Sequence, residues 1–209
     1  LVVNFCYDGS CNLSCPSCRN TIEMCSPKSE EYKKIEKIHD IVINKIIKDA
    51  YRLYITGTGD PFASPFFRNF LQNFDKIKHK NIGMIHLHTN ANLWTEKMWE
   101  SMSNIHPLVK SVEISIDAGT KETYEKVRRS GDWDLLMKNL EYINTIKTLE
   151  NVKLSFVIQD DNYKEMELFE NLKYKLNNIP RVRTHYYKIL DWGHMDDYDD
   201  IIPSDVSLI

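Results

Sequence analysis

The sequence predicts an α/β fold, a partial (β/α)6 barrel in which six parallel strands are surrounded by helices. Six short strand patterns alternate with helical patterns, an order typical of a parallel sheet with right-handed crossovers. Several strands also carry polar residues on one face, whereas strands of a doubly wound sheet are buried on both faces and apolar throughout. A polar inner face suits a TIM-like barrel whose lumen holds a polar ligand.

The first half of the chain supplies three strand patterns, at 2–7, 51–56 and 82–89. A helix is expected from Ser26-Pro27 to Ala50, because proline suits the first helical position. Its apolar face is expected to contain Ile35, Ile38, Val42 and Ile46. Two further helices are expected to begin after the capping residues Ser64 and Thr95, the first carrying an apolar series that ends at Phe74 and Ile77.

The second half repeats this order. Strand patterns cover 109–117, 152–159 and 182–190, and helical patterns cover 120–129, 133–148 and 163–177. Asp132 is the expected N-cap of the second of these helices. No linker or repeat divides the chain, so residues 1–190 are predicted to form one domain, followed by an acidic, irregular tail at 191–209.

Composition narrows the class of function. The 209 residues carry a formal net charge of −3, which does not suggest a nucleic-acid-binding surface. No apolar run approaches the roughly 18 residues of a membrane span. All five cysteines lie within the first 25 residues, which favours metal binding in a reducing compartment over disulfides, and hence a cytoplasmic protein. Because the chain starts directly in a strand pattern without Met, we expect it to be a trimmed piece.

The most informative stretch is Cys11 to Cys18, a C-x3-C-x2-C loop directly after the first strand pattern. Thiolates bind soft metals, and three of them can hold one side of an iron–sulfur cluster. A four-iron cluster needs four ligands, so three cysteines leave one iron open to a small molecule. Two alternatives remain: structural zinc with Cys6 or Cys25 as fourth ligand, and an electron-transfer cluster completed by Cys25.

This spacing resembles that of the radical S-adenosylmethionine (SAM) enzymes. The resemblance implies that Cys11, Cys15 and Cys18 hold a 4Fe–4S cluster and that SAM binds its open iron. It further implies an external one-electron donor of flavodoxin or ferredoxin type, reductive cleavage of SAM to a 5′-deoxyadenosyl radical, and hydrogen abstraction from a substrate. It assigns no catalytic side chain.

Other motifs follow later strands in the same order as in that family. Gly57-Thr58-Gly59-Asp60-Pro61 resembles its Gly-Gly-Glu-Pro segment, which binds the amino group of SAM. Segments after the third, fourth and fifth strands resemble its Thr-Asn-Gly, Ser-hydrophobic-Asp-Gly and adenine-contacting segments, and an arginine downstream matches its carboxylate ligand. The SAM contacts implied in this way are Gly57, Thr58, Gly59, Asp60, Asn90, Ser115, Asp117, Arg128 and Ile158.

The chain also departs from the family pattern. Ser17 stands where an aromatic residue usually precedes the third cysteine, Ala91 replaces a glycine, and Asp60 shortens a carboxylate. Taken singly, the glycine segment reads as an ordinary turn and Arg128 as a charge on a helix surface. Cys6 is expected to be a small buried thiol, and His86 and His88 to be polar residues that line the lumen.

The substrate is not encoded in these motifs. Asp191-Trp192-Gly193 resembles the lead-in to the C-terminal extension of the SPASM/twitch subgroup, but no cysteine follows Cys25. Two alternatives stay open: the tail is the start of an extension that was cut off or lost, or the extension never existed. By analogy with that subgroup a peptide side chain is the first expectation for the substrate, and a sugar or glycan precursor is the second. A non-enzymatic iron–sulfur electron carrier or a zinc-stabilised protein is the alternative of another class.

Overall fold

The computed structural model describes residues 1–55, 58–190 and 198–203. One sheet holds six strands in the order of the chain, and every neighbouring pair is parallel. The predicted α/β fold with six parallel strands is therefore confirmed. The strands are β1 (Val2–Phe5), β2 (Arg52–Ile55), β3 (Met84–Thr89), β4 (Val109–Ser115), β5 (Asn151–Ile158) and β6 (Arg181–Lys188).

Helices connect successive strands, as right-handed crossovers require. They are α1 (Glu30–Ile41), α2 (Pro65–Gln72), α3 (Glu96–Glu100), α4 (Lys121–Val127), α5 (Trp133–Ile143), α6 (Met166–Asn171) and α7 (Tyr198–Ile201). The predicted N-caps Ser64, Thr95 and Asp132 each accept a hydrogen bond from a backbone N–H of the first turn. The expected start of α1 at Ser26-Pro27 is wrong, because Ser29 is the capping residue.

The apolar face expected on the first helix is also wrong in part. After α1 the chain continues as a π-helix (Val42–Ile46) and a 3₁₀ turn (Ile47–Asp49). The wider turns of the π-helix shift the apolar face, so that Ile47 is buried whereas Ile46 is exposed. Ile38, which lies within α1 itself, is also exposed. The second helix ends at Gln72, and Ile77 beyond it lies in solvent. Residues 163–177 alternate between 3₁₀ and α geometry instead of forming one helix.

The two faces of the sheet differ in polarity. Towards the helices the strands bury apolar side chains, among them Phe5, Leu53, Leu87, Ile114 and Leu154. Towards the lumen they present polar ones, since His86, Glu113 and Lys153 lie on neighbouring strands with their side chains on the other face. This difference agrees with the predicted polar inner face of a partial barrel.

The segment after β6 is described only in part. Residues 191–197 and 204–209, including the predicted lead-in Asp191-Trp192-Gly193, lie outside the described residues. Between them α7 forms a single helical turn within the tail that was expected to be irregular. The carbonyl of Ile201 accepts a hydrogen bond from the Asp160 N–H at 3.0 Å, which joins α7 to the loop after β5.

Candidate functional site

The cysteine loop lies at the carboxyl end of β1, where parallel barrels place their chemistry. Its backbone is held at both ends. The Cys11 N–H donates to the Glu23 carbonyl at 2.8 Å, and the N–H groups of Cys18 and Arg19 both donate to the Cys15 carbonyl at 2.9 Å. These bonds form a compact turn that holds the three thiols on one short segment.

Each sulfur of this loop faces a nitrogen donor from a side chain. Asn90 Nδ2, after β3, is 3.8 Å from Cys11 Sγ, and Arg128 Nη1, after α4, is 3.6 Å from Cys15 Sγ. Cys18 Sγ is 3.6 Å from Nη2 of the neighbouring Arg19. Burial raises the pKa of Cys11 to about 11, and burial likewise raises the pKa of Cys15. These thiols must therefore release protons when a metal binds.

The arrangement fits a cluster better than a single ion. Across residues 1–55, 58–190 and 198–203 no three Cys, His, Asp or Glu side chains are grouped so that they hold one metal ion. Structural zinc requires four ligands around one point, at about 2.0–2.3 Å. A four-iron cluster takes each thiolate on a separate iron, so its ligands do not converge, and two guanidiniums beside the sulfurs offset thiolate charge. The donor set thus suits the predicted cluster.

The two remaining thiols lie apart from this donor set. Cys25 packs partly against the core, and its N–H donates to Ser10 Oγ at 2.9 Å. Cys6 is exposed, so the expectation of a buried thiol there is wrong. It directly follows β1, next to the buried Phe5.

Asp60 connects the ends of three strands. Its carboxylate accepts from Phe62 N at 2.9 Å, from Thr89 Oγ1 at 2.7 Å and from Asn90 N at 2.9 Å. Its own N–H donates to the carbonyl of Ser10 in the cysteine loop. Burial raises the pKa of Asp60, and the three donors oppose that rise. The Asp60 carboxylate thus already accepts hydrogen bonds from three groups of the protein, and one of these bonds holds Asn90 in position.

The glycine segment approaches the cysteine loop closely. A Cβ on Gly59 would meet the Ser10 carbonyl oxygen and come within 2.8 Å of the Gly9 carbonyl carbon. Glycine is therefore required here by the neighbouring loop. The Thr58 carbonyl accepts a hydrogen bond from Arg19 Nη2, so in this structure it is not free to accept one from an ammonium group. Gly57 lies outside the described residues.

Arg128 and Asp117 form a buried ion pair beside Cys15. Arg128 Nη2 is 2.7 Å from Asp117 Oδ2, and the other oxygen of this carboxylate accepts from Val157 N at 2.7 Å. The Asp117 backbone has a φ of 60°, which an L-residue seldom adopts. Arg128 Nε is buried and has no hydrogen-bond partner in the described structure. An unpartnered cationic donor beside a cluster ligand is what an anionic group such as the carboxylate of SAM requires.

Three other predicted contacts lie around this pair. Asn90 Nδ2 donates to Asn12 Oδ1 at 3.0 Å and therefore reaches the cysteine loop. Ser115 Oγ lies 2.7 Å from His88 Nε2 and 3.1 Å from Ser155 Oγ, on the lumen side. Ile158 is half-buried at the end of β5. The structure brings Asn90, Asp117 and Arg128 to the cysteine loop and leaves Ser115 in the lumen wall.

Sequence reasoning missed three residues that shape the site. Arg129, the neighbour of the predicted ligand Arg128, donates to Ser14 Oγ at 3.2 Å and to the Asn20 carbonyl at 2.9 Å. Arg19 bonds the carbonyls of Gly9 and Thr58. Asp8 is fully buried and accepts from Ser10 Oγ at 2.7 Å and Ser64 Oγ at 2.5 Å. Only long-range contacts distinguish these charges from surface ones.

The fold and this donor set define a class of protein: a barrel whose strand ends carry a thiolate-ligated cluster site with a buried anion-binding arginine beside it. A family model described as "Radical SAM superfamily" matches residues 9–172. The chain belongs to this superfamily, which uses a 4Fe–4S cluster and SAM, and the prediction that it belongs to a class of enzymes is confirmed.

Relatives and solved structures agree with this membership. The chain is 33% identical over 168 residues to a GTP 3′,8-cyclase of Alkaliphilus oremlandii, over 78% of the chain and 49% of that protein. A GTP 3′,8-cyclase of Clostridium botulinum is 27% identical over 167 residues, which are 79% of the chain and 50% of that protein. The chain therefore spans about half the length of the curated relatives it matches.

The fold also recurs in solved structures at low identity. HydG, a maturase of the [FeFe]-hydrogenase, superposes with a TM-score of 0.62 at 13% identity, covering 96% of the chain and 45% of that protein. Native anSMEcpe with bound AdoMet gives a TM-score of 0.60 at 17% identity, covering 91% and 51%. Within the described residues no helix is long and apolar enough to cross a membrane.

Proposed function

We propose that this protein cleaves SAM reductively and uses the product to take a hydrogen atom from a substrate. When bound, the reduced cluster would supply one electron to SAM, and SAM would supply the 5′-deoxyadenosyl radical with methionine as the other product. One observation carries the proposal: Arg128 is buried beside Cys15 with an Nε donor that has no partner in the described structure. Such a donor indicates an anionic ligand adjacent to a metal ligand.

The chain's own residues would divide the work as follows. Cys11, Cys15 and Cys18 would hold the cluster, and Arg128, oriented by Asp117, would bind the carboxylate of SAM. Asp60 would position Asn90 rather than contact SAM itself, because its carboxylate already accepts hydrogen bonds from Thr89 and Asn90. Asn90 reaches the loop between Cys11 and Cys15 and would set the orientation of the thiols.

The remaining predicted contacts stay part of the proposal. Gly57, Thr58 and Gly59 would supply carbonyl groups to the ammonium of SAM. For Thr58 to do so, the hydrogen bond from Arg19 to its carbonyl would have to break. Ser115 and Ile158 would lie near the ribose and the adenine. Residues 1–190 would form the catalytic domain and 191–209 the start of an extension of SPASM/twitch type.

The partners are proposals as well. An external one-electron donor of flavodoxin or ferredoxin type would supply the electron, as the family resemblance implies. The clustered thiols support a cytoplasmic location, where cysteines stay reduced.

The proposal that the substrate is a peptide side chain is supported by analogy alone. The cationic side chains of the lumen favour the alternative, a sugar or glycan precursor. Arg181 and Arg183 line the lumen together with Lys153, which suits a phosphorylated small molecule. The curated relatives are named for GTP, which is also a phosphorylated compound.

The experiment is electron paramagnetic resonance of the anaerobically reconstituted, dithionite-reduced protein with and without SAM, followed by chromatography for 5′-deoxyadenosine. A 4Fe–4S signal that changes on addition of SAM, with deoxyadenosine formed, would support the proposal. Cys15→Ala is expected to abolish both readouts, and the matched control Cys25→Ala to retain them.

Either of two results would overturn it. A cluster signal that ignores SAM and disappears in Cys25→Ala would identify a four-cysteine electron carrier. Zinc in place of iron after reconstitution with both metals would identify a zinc-stabilised protein.

A further inference from the structure

The lumen of the barrel contains a cavity of about 430 Å³. Its walls come from the amino-terminal and middle residues of the later strands, including Ser111, Asn151 and Arg181, and from Tyr54 and His86 on β2 and β3. The cysteine loop, in contrast, follows the last residue of β1. The cavity therefore lies towards the amino-terminal ends of the strands, whereas the proposed cluster site lies at their carboxyl ends.

The charges that line this cavity are mainly positive. Lys153, Arg181 and Arg183 are cationic, and Glu113 is the single carboxylate among the residues of the wall. Glu113 is already engaged, because its Oε2 lies 2.5 Å from Lys153 Nζ and its Oε1 accepts from Tyr187 Oη at 3.1 Å. Burial lowers the pKa of His86 to about 4, so this imidazole is neutral near pH 7.

The two arginines are the available cations. Lys153 is neutralised by Glu113, whereas neither guanidinium of Arg181 or Arg183 has a hydrogen bond or ion pair within the described part of the chain. They stand two residues apart on β6 and so share one face of the strand. Two planar, always charged guanidiniums side by side match a dianionic phosphate group.

We propose that this cavity binds the phosphate-bearing end of the substrate, which is therefore a phosphorylated small molecule. This inference rests on the proposed function and adds the class of substrate. Arg183 pairs with Lys153, which pairs with Glu113, and Asp117 follows four residues further along the chain. At about 3.3 Å per residue, the level of Arg183 therefore lies roughly 13 Å from that of Asp117, beside the proposed SAM site.

A purely structural role for these arginines makes a different prediction. β6 is an edge strand, and charged side chains on edge strands prevent pairing with other chains. In that case the cavity has no specific affinity for phosphate, and arginine is replaceable by any charged residue.

The test uses the intact protein with its cluster reconstituted and inorganic pyrophosphate as the probe in anaerobic titration calorimetry. We expect saturable binding that weakens about tenfold or more for each of Arg181→Gln and Arg183→Gln. Lys188→Gln is the matched control. Lys188 is exposed on the same strand but does not line the cavity, so this substitution removes one positive charge without changing the proposed site. It is expected to leave pyrophosphate binding unchanged.

Three results would overturn the inference: no binding to the wild-type protein, equal binding by Arg183→Gln, or citrate bound as tightly as pyrophosphate. Arg183→Glu keeps a charge on the edge strand, so pyrophosphate binding unaffected by that change would also refute it. Circular dichroism of each variant confirms the fold. Failure of the proposed function is distinguished by a different readout. In that case the wild-type protein forms no 5′-deoxyadenosine, whether or not it binds pyrophosphate.

Discussion

Removal of Arg128 is expected to destabilise the protein strongly. Its side chain is only 12% exposed and that of Asp117 only 1%, and the pair is separated by 2.7 Å. Arg128→Ala leaves the Asp117 carboxylate buried without its cation, although Val157 N still donates to it. Truncation of one partner in a buried pair lowers the free energy of unfolding by about 3–5 kcal/mol. For a chain of this size that corresponds to a fall in melting temperature of about 6–20 °C.

The assay is urea unfolding of the cluster-free protein, followed by tryptophan fluorescence, so that loss of metal does not contribute. Asp117→Asn in the Arg128→Ala background is expected to restore part of the loss, because no charge is then buried. Burial raises the pKa of Asp117, and without Arg128 it rises further. The folded state then holds its proton more tightly than the unfolded state, so the deficit is complete above the folded pKa and shrinks as the pH falls through it towards the unfolded pKa.

Arg129→Ala is the comparison for this prediction, because Arg129 bonds only uncharged acceptors. Its loss is expected to cost about 0.5–1.5 kcal/mol per hydrogen bond. A deficit below about 1 kcal/mol for Arg128→Ala, or no recovery in the double variant, would refute the idea that the pair is charged and buried.

Further predictions concern the strand ends and the lumen. Gly59→Ala is expected to cost about 1–3 kcal/mol and to impair iron loading, because its Cβ meets backbone atoms, whereas Gly9→Ala meets only a side-chain oxygen at 3.3 Å and is tolerated. Asp60→Asn is expected to cost about 1.5–3 kcal/mol in urea unfolding, since an amide accepts fewer of the three donors. Ala91 has a φ of 60°, so Ala91→Gly is expected to raise stability by up to about 1 kcal/mol; a loss would show that the methyl group packs favourably. Because the pKa of His86 falls from 6.5 to about 4 on folding, the unfolded chain binds more protons between these pH values and stability decreases on acidification, by at most about 2 kcal/mol at pH 5. His86→Gln is expected to flatten that dependence in unfolding curves from pH 7 to pH 5.

The fold was predictable because its signals are local. The alternation of apolar residues locates each strand, and Ser64, Thr95 and Asp132 mark helix starts within their own first turn. The π-helix after α1 was not predictable, since a sequence periodicity of 3.6 describes regular helices only.

The site was predictable only where spacing carries the chemistry. The cysteine triplet is such a case. The partners of Asp60 are not, because Thr89 and Asn90 are about thirty residues away and only the fold brings them near. The motif resemblance placed Asp60 against SAM, whereas its carboxylate is occupied inside the protein. The donor to Cys18 is the neighbouring Arg19. This arginine also donates to the carbonyl of Thr58, which follows β2, so its position depends on the fold and not on the local sequence.

The donors to the cysteine sulfurs have a consequence for how the protein is made. The five cysteines of this sequence lie between residues 6 and 25, yet the partner of Cys11 lies 79 residues later and that of Cys15 lies 113 residues later. A nascent chain that ends at α2 has every thiol but neither of these donors. The hydrogen bonds to Cys11 and Cys15 therefore form only after the chain through Arg128 has been synthesised and folded, so residues 1–72 alone cannot give the loop its complete set of donors.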